Sequence, residues 1–204
     1  MYFISFLIFY CSAIAHELSH GFAARKIGDN TALMAGRLSI NPIKHISLVG
    51  TILVPGAMLA LGGKAAFGWV KPVPINFDHF NRRQKIRVIL AGVFTNCILA
   101  IAGFNLFLAT NNFMTPESAP WVQVVCTGLF LIFPINLMLA IFHLLPLAPL
   151  DGWALIKAAT NSENAKWTQH PITKLCSLFI SFLLIRIAIA IIKPLIQWAI
   201  YFSV

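Results

Sequence analysis

Acidic side chains are scarce in this chain: six Asp or Glu among 204 residues, against fifteen Lys or Arg. Charged residues of both signs reach only 10%, where a soluble domain carries about 25%. Hydrophobic residues make up 59% and mean hydropathy is +0.82. A composition so poor in charge excludes a soluble globular surface and defines an integral membrane protein. The four cysteines, Cys11, Cys97, Cys126 and Cys176, all lie in apolar stretches and form no C-x-x-C pair. That argues against a disulfide framework or a thiolate metal site. Missing too is any interleaved aromatic and basic patch of the kind that stacks bases. The net charge of +9 therefore suits a membrane surface, and nucleic acid is not an expected partner. The first apolar stretch lacks the basic n-region of a signal peptide and reads as a retained span. With no internal repeat and no low-complexity segment, residues 1–204 read as one membrane domain. Its core covers about 1–160, with a C-terminal helical segment at about 172–204.

Three spans stand out. The first runs from about Tyr2 to Ala24 and ends at Arg25 and Lys26. The second lies within Val88 to Pro116, which has no charged residue and carries Asn96. The third starts near Trp121 in an uncharged run that ends at Leu150; Pro134 is placed to kink it, and Pro146 and Pro149 to unwind its end. Between Arg25 and Arg87 lie ten Lys or Arg but only two acids, Asp29 and Asp78, so this region is expected on the cytoplasmic side. Inside it, His45 to Gly63 is uncharged but broken by Gly50, Pro55, Gly56, Gly62 and Gly63. Basic flanks on both ends favour a re-entrant segment over a crossing. The polar connector around Asn111 to Pro120 suits the opposite side, and Asp151 to Lys174 the cytoplasmic one. The apolar stretch from Leu175 to Val204 holds Arg186, Lys193 and Pro194. It is expected to supply a C-terminal transmembrane helix, with Arg186 snorkelling or pairing.

The first span carries His16-Glu17-Leu18-Ser19-His20. Residues four apart share a helical face, so both imidazoles can meet one metal ion. Glu17 is turned by roughly 100° and can take a proton from water at the metal's open position. The competing reading is a polar patch packed on another helix. In hydrocarbon, however, His, Glu and His are costly without partners. Zinc sites that perform chemistry use three protein ligands and keep one position for water. Glu17 is the base, and Asp29, Asp78, Glu117 and Glu163 sit in polar connectors. Asp151 directly follows a long uncharged run, in Pro-Leu-Asp-Gly, where Gly152 permits a turn. Alone it would read as an N-cap; beside the first motif it becomes the third ligand. His45, His79 and His170 lie in basic or polar connectors, where interfacial packing or solvent exposure is expected.

Together, His-Glu-Leu-Ser-His and the downstream His143-Leu-Leu-Pro-Leu-Ala-Pro-Leu-Asp151-Gly152 resemble the site-2 protease family of intramembrane zinc metalloproteases. The blocks from Ala35 to Pro42 and Gly68 to Pro74 resemble its compact bacterial branch without a PDZ domain. The resemblance extends to about Ala159. It implies one zinc ion per chain held by His16, His20 and Asp151, with Glu17 as catalytic base. It also implies an all-α polytopic fold of three transmembrane helices, a re-entrant segment and a C-terminal transmembrane helix. Gly92 and Asn96 match the family's Gly-Pro-x-x-Asn, with Val93 in place of the proline. His143 stands where the family usually has Asn, and Ala148 where it has a proline. The usual Asn is thought to contact substrate or stabilise the reacting carbonyl, a role that Asn96 and His143 are the candidates to fill. His143 is alternatively placed to become a fourth ligand that closes the site.

A metal also constrains topology. If the histidines and Asp151 meet at one depth, the first and third spans run the same way, and one outward crossing at Val88 to Pro116 suffices. A full crossing at 45–63 would put Asp151 on the wrong face. The expected reaction is hydrolysis in or beside a substrate's transmembrane helix, at the cytoplasmic side of a bacterial inner membrane. The unwound substrate strand is expected to add to the backbone near Gly36 to Asn41 or Thr51 to Pro55. The alternative is a catalytically silent relative that binds or chaperones other transmembrane segments; a metal-ion transporter is weaker, because so few intramembrane carboxylates are present.

Overall fold

The structure, a computed structural model, describes residues 2–62, 68–111 and 119–160, together with Ile180 and Ala190 as isolated helical positions. Among the described residues every regular element is helical, with no strand. Three helices are long and apolar enough to cross a membrane: α1 (Tyr2–Lys26), α4 (Arg82–Asn111) and α5 (Pro120–His143). Their 25, 30 and 24 residues correspond to about 36–45 Å at 1.5 Å per residue, against a hydrocarbon core of about 30 Å. Shorter elements are α2 (Thr31–Met34), a 3-10 turn at Pro42–His45, a π-helical turn at Leu48–Leu53 leading into α3 (Val54–Ala60), and α6 (Asp151–Thr160). Apart from Ile180 and Ala190, the expected C-terminal helix at about 172–204, with Arg186, lies outside the described residues.

Burial is inverted relative to a soluble bundle. Phe94, Ile98, Ile101 and Trp121 are exposed, whereas Ser12, His16, His20, Asn96 and Asn136 are buried. An apolar exterior around a polar interior is what a lipid solvent selects, since polar groups facing hydrocarbon cannot be satisfied there. The central helix is α4, which packs along α5 and against α1 and α6. It starts earlier than the uncharged run suggests, at Arg82, because a capping box fixes its N-terminus. Asn81 Oδ1 accepts the Gln84 N–H at 3.0 Å and Gln84 Oε1 accepts the Asn81 N–H at 2.9 Å. At the far end, α5 stops at His143, ahead of the prolines at 146 and 149, as the sequence implies.

The segment expected to re-enter is helical from Leu48 to Ala60. Thirteen residues of helix reach only about 20 Å, too short for a crossing. The chain after it returns to its own start. The Trp69 N–H donates to Gly50 O, the Lys71 N–H donates to His45 O, and the Thr51 hydroxyl donates to Trp69 O. Arg37, buried, donates to the carbonyls of Lys44, Lys71 and Pro72 and so staples the two arms together. One expectation fails here. Thr51 to Pro55 is helical, its backbone amides already engaged, and it offers no edge for a substrate strand. The other expected edge, Gly36 to Asn41, lies outside the helices, as does the stretch from Trp69 to Asn76. His45 is fully buried, its Nε2 2.8 Å from Ser39 O, and burial holds its pKa below the usual histidine value. His79 is exposed.

Candidate metal centre

Four side chains from two remote stretches of the chain converge where α1, α4, α5 and α6 meet. His16 and His20 share one face of α1, and their Nε2 atoms stand 3.0 Å apart. Asp151, the first residue of α6, brings Oδ2 to 3.0 Å from His16 Nε2 and 3.3 Å from His20 Nε2. His143, the last residue of α5, places Nδ1 3.3 Å from the same oxygen. Glu17 lies beside them, its Oε2 accepting the Val73 N–H at 2.8 Å.

These donors fit zinc. Ligands bound at 2.0–2.1 Å around a tetrahedral ion stand about 3.3 Å from one another, close to the separations that surround Asp151 Oδ2. That oxygen is buried and, despite three neighbouring ring nitrogens, forms no hydrogen bond of adequate geometry. An unsatisfied buried acceptor costs about 1–3 kcal/mol and a charged one more; a cation at the point of convergence removes the deficit. The tautomer of His20 agrees. Its Nδ1 is 2.8 Å from Val88 O, an acceptor only, so Nδ1 carries the proton and Nε2 presents its lone pair.

The packing explains two glycines. A Cβ at Gly92 would stand 2.5 Å from His20 Nε2 and 2.6 Å from His16 Nε2, so only glycine lets α4 pass this close to the metal-facing nitrogens of both rings. Gly92→Ala is expected to displace both imidazoles and weaken zinc binding by at least the roughly 10–100-fold seen when a ligand's outer partner is lost. Metal competition with a chromophoric chelator measures this, with circular dichroism confirming retained helices. Gly152 serves close approach, not turn formation: it does not adopt positive φ, and a Cβ there would lie 2.2 Å from Leu144 O and 2.4 Å from Leu145 O.

Asn96 sits elsewhere than a substrate contact requires. It is fully buried, with Nδ2 3.1 Å from His16 Nδ1, behind the metal-facing side of the ring. The Val73 contact to Glu17 carries no sequence signal. Val88, Gly92 and Asn96 do carry one: spaced by four, they form a single face of α4 matching His16 and His20 on α1.

A multi-pass helical bundle with two buried histidines and a half-buried aspartate clustered beside a glutamate belongs to the class of membrane metallohydrolases. The family model for Peptidase family M50 matches residues 4–127. "Putative zinc metalloprotease YwhC" of Bacillus subtilis is 40% identical over 161 residues, covering 76% of this chain and 68% of the relative. "Putative zinc metalloprotease Rip2" of Mycolicibacterium smegmatis is 29% identical over 155 residues, 76% of this chain and 56% of the relative. "Putative zinc metalloprotease MJ0611" of Methanocaldococcus jannaschii is 32% identical over 162 residues, 75% and 72% respectively. No solved structure matches the chain significantly. The chain belongs to Peptidase family M50, the site-2 protease family. It spans little more than half the length of the Rip2 relative.

Proposed function

We propose that this protein is an intramembrane zinc endopeptidase that hydrolyses peptide bonds in or next to transmembrane segments of other membrane proteins. The observation that carries the reading is the approach of His16, His20 and Asp151 to a common point inside a lipid-facing bundle, with Glu17 alongside. His16, His20 and Asp151 would hold one zinc ion per chain. The chemistry zinc contributes when bound is Lewis acidity, which polarises the scissile carbonyl and acidifies water.

The chain's own groups do the rest. Glu17, steadied through Oε2 by the Val73 N–H, takes a proton from the attacking water on its other oxygen. It delivers that proton to the amine nitrogen as the C–N bond breaks. Val88 O holds the His20 ring in the tautomer that frees Nε2. Asn96 does the same for His16 if its amide is half-turned. Oδ1, buried without a partner as it stands, then accepts the Nδ1–H and leaves Nε2 free to bind. Asn96→Leu is therefore expected to lower zinc affinity roughly 10–100-fold, with Asn96→Asp retaining most of it; chelator competition on the two variants reads the difference.

The basic stretch from Arg25 to Arg87 supports a cytoplasmic-side active site in a bacterial inner membrane. The substrates are membrane proteins whose helices unwind locally to expose a peptide bond. Purified parent and Glu17→Gln protein, each given the same single-span substrate in liposomes, test the proposal. Cleavage by the parent alone supports it. No cleavage by either, with zinc bound in both, favours a silent relative that binds other spans.

A further inference from the structure

We propose that His143 is a fourth, exchangeable ligand, so that the resting zinc is held by three imidazoles and one carboxylate. The inference rests on the metal centre described above and concerns a residue that motif-based ligand assignment leaves out. His143 Nδ1 is 3.3 Å from Asp151 Oδ2, the atom His16 and His20 also approach. His16, His143 and Asp151 each bring one ligand atom within 4.8 Å of the other two. The His143 and His16 rings lie 3.9 Å apart between centroids, tilted by 44°. Nδ1 of His143 is buried and forms no hydrogen bond. A nitrogen that binds a substrate carbonyl would need to face the vacancy beside the metal; this one faces the carboxylate that helps to hold the metal.

Exchangeability follows from how each ring is held. His20 is braced by Val88 O and His16 by Asn96. Outer hydrogen bonds of this kind fix a ligand's orientation. Among the described residues, none braces His143. Its side chain is also more open, 21% exposed against 2% for His16 and 9% for His20. It stands at the last turn of α5, just before the non-helical stretch at 144–150. The least braced and most accessible ring is the one that incoming water or a substrate carbonyl can displace. The two inner imidazoles and the carboxylate remain, as a catalytic zinc requires.

Zinc K-edge X-ray absorption on the full-length protein tests this, comparing the parent with His143→Ala and His143→Asn. Three imidazoles per zinc in the parent and two in both variants are expected, with zinc dissociation constants rising by roughly 10–100-fold, the scale on which support around a bound metal matters. Two imidazoles in all three proteins, with equal zinc affinities, overturn the assignment. A parent that binds no zinc is a different failure: it removes the metal centre itself and the role of His143 with it. The Asn variant guards against misfolding of the Ala one, since it keeps a polar side chain at the end of α5.

Discussion

Glu17→Gln is expected to lower kcat by roughly 10²–10⁴-fold, the contribution of a positioned general base, while zinc content stays at one per chain. The substitution preserves shape. A glutamine side-chain oxygen still accepts the Val73 N–H that now meets Glu17 Oε2, so the segment around Val73 keeps its seat on α1. What disappears is an oxygen able to take a proton from water and return it to the leaving amine. Because Glu17 is not among the groups crowding Asp151 Oδ2, metal affinity is expected to change little. Retained turnover would remove Glu17 from the reaction. Loss of zinc would instead make it a ligand.

Asp151→Ala is the second large effect. Asp151 is the carboxylate in the converging set, and its Oδ2 is the atom to which three ring nitrogens come within 3.3 Å. Removing it leaves neutral imidazoles and withdraws the negative charge that offsets a dication in a medium of low dielectric. Zinc affinity is expected to fall by more than the roughly 10–100-fold cost of losing an outer-shell partner, and cleavage to fall with it. The helices should persist, because α6 packs on α4 and buries Gly152 and Ala158. Chelator competition and far-ultraviolet circular dichroism on the same samples separate lost metal from lost fold.

Much of this was legible in the residues. His16, Glu17 and His20 follow from helical spacing, Asp151 from the shortage of acids, and the short excursion at 45–63 from the basic flanks and the parity of crossings. What stayed hidden belongs to packing between segments distant in the chain. Nothing local distinguishes Val73 as the donor to Glu17, or marks His45 as fully buried. Gly152, closing Pro-Leu-Asp-Gly, reads as a turn residue; its real constraint is two carbonyl oxygens of the preceding loop. Of the two expected substrate edges, Thr51 to Pro55 is helical: its β-branched Thr51, Ile52 and Val54 read as extended, and packing overrides that preference. Asn96 was legible as important. Which way it faces depends on the register of α4 against α1.

The most direct test is the position of the metal in crystals of the zinc-loaded protein, read from anomalous diffraction across the zinc edge. The account predicts a single peak at about 2.0–2.1 Å from His16 Nε2, His20 Nε2 and an Asp151 carboxylate oxygen. A peak held by other residues, or no peak between α1 and α6 in active protein, would contradict it.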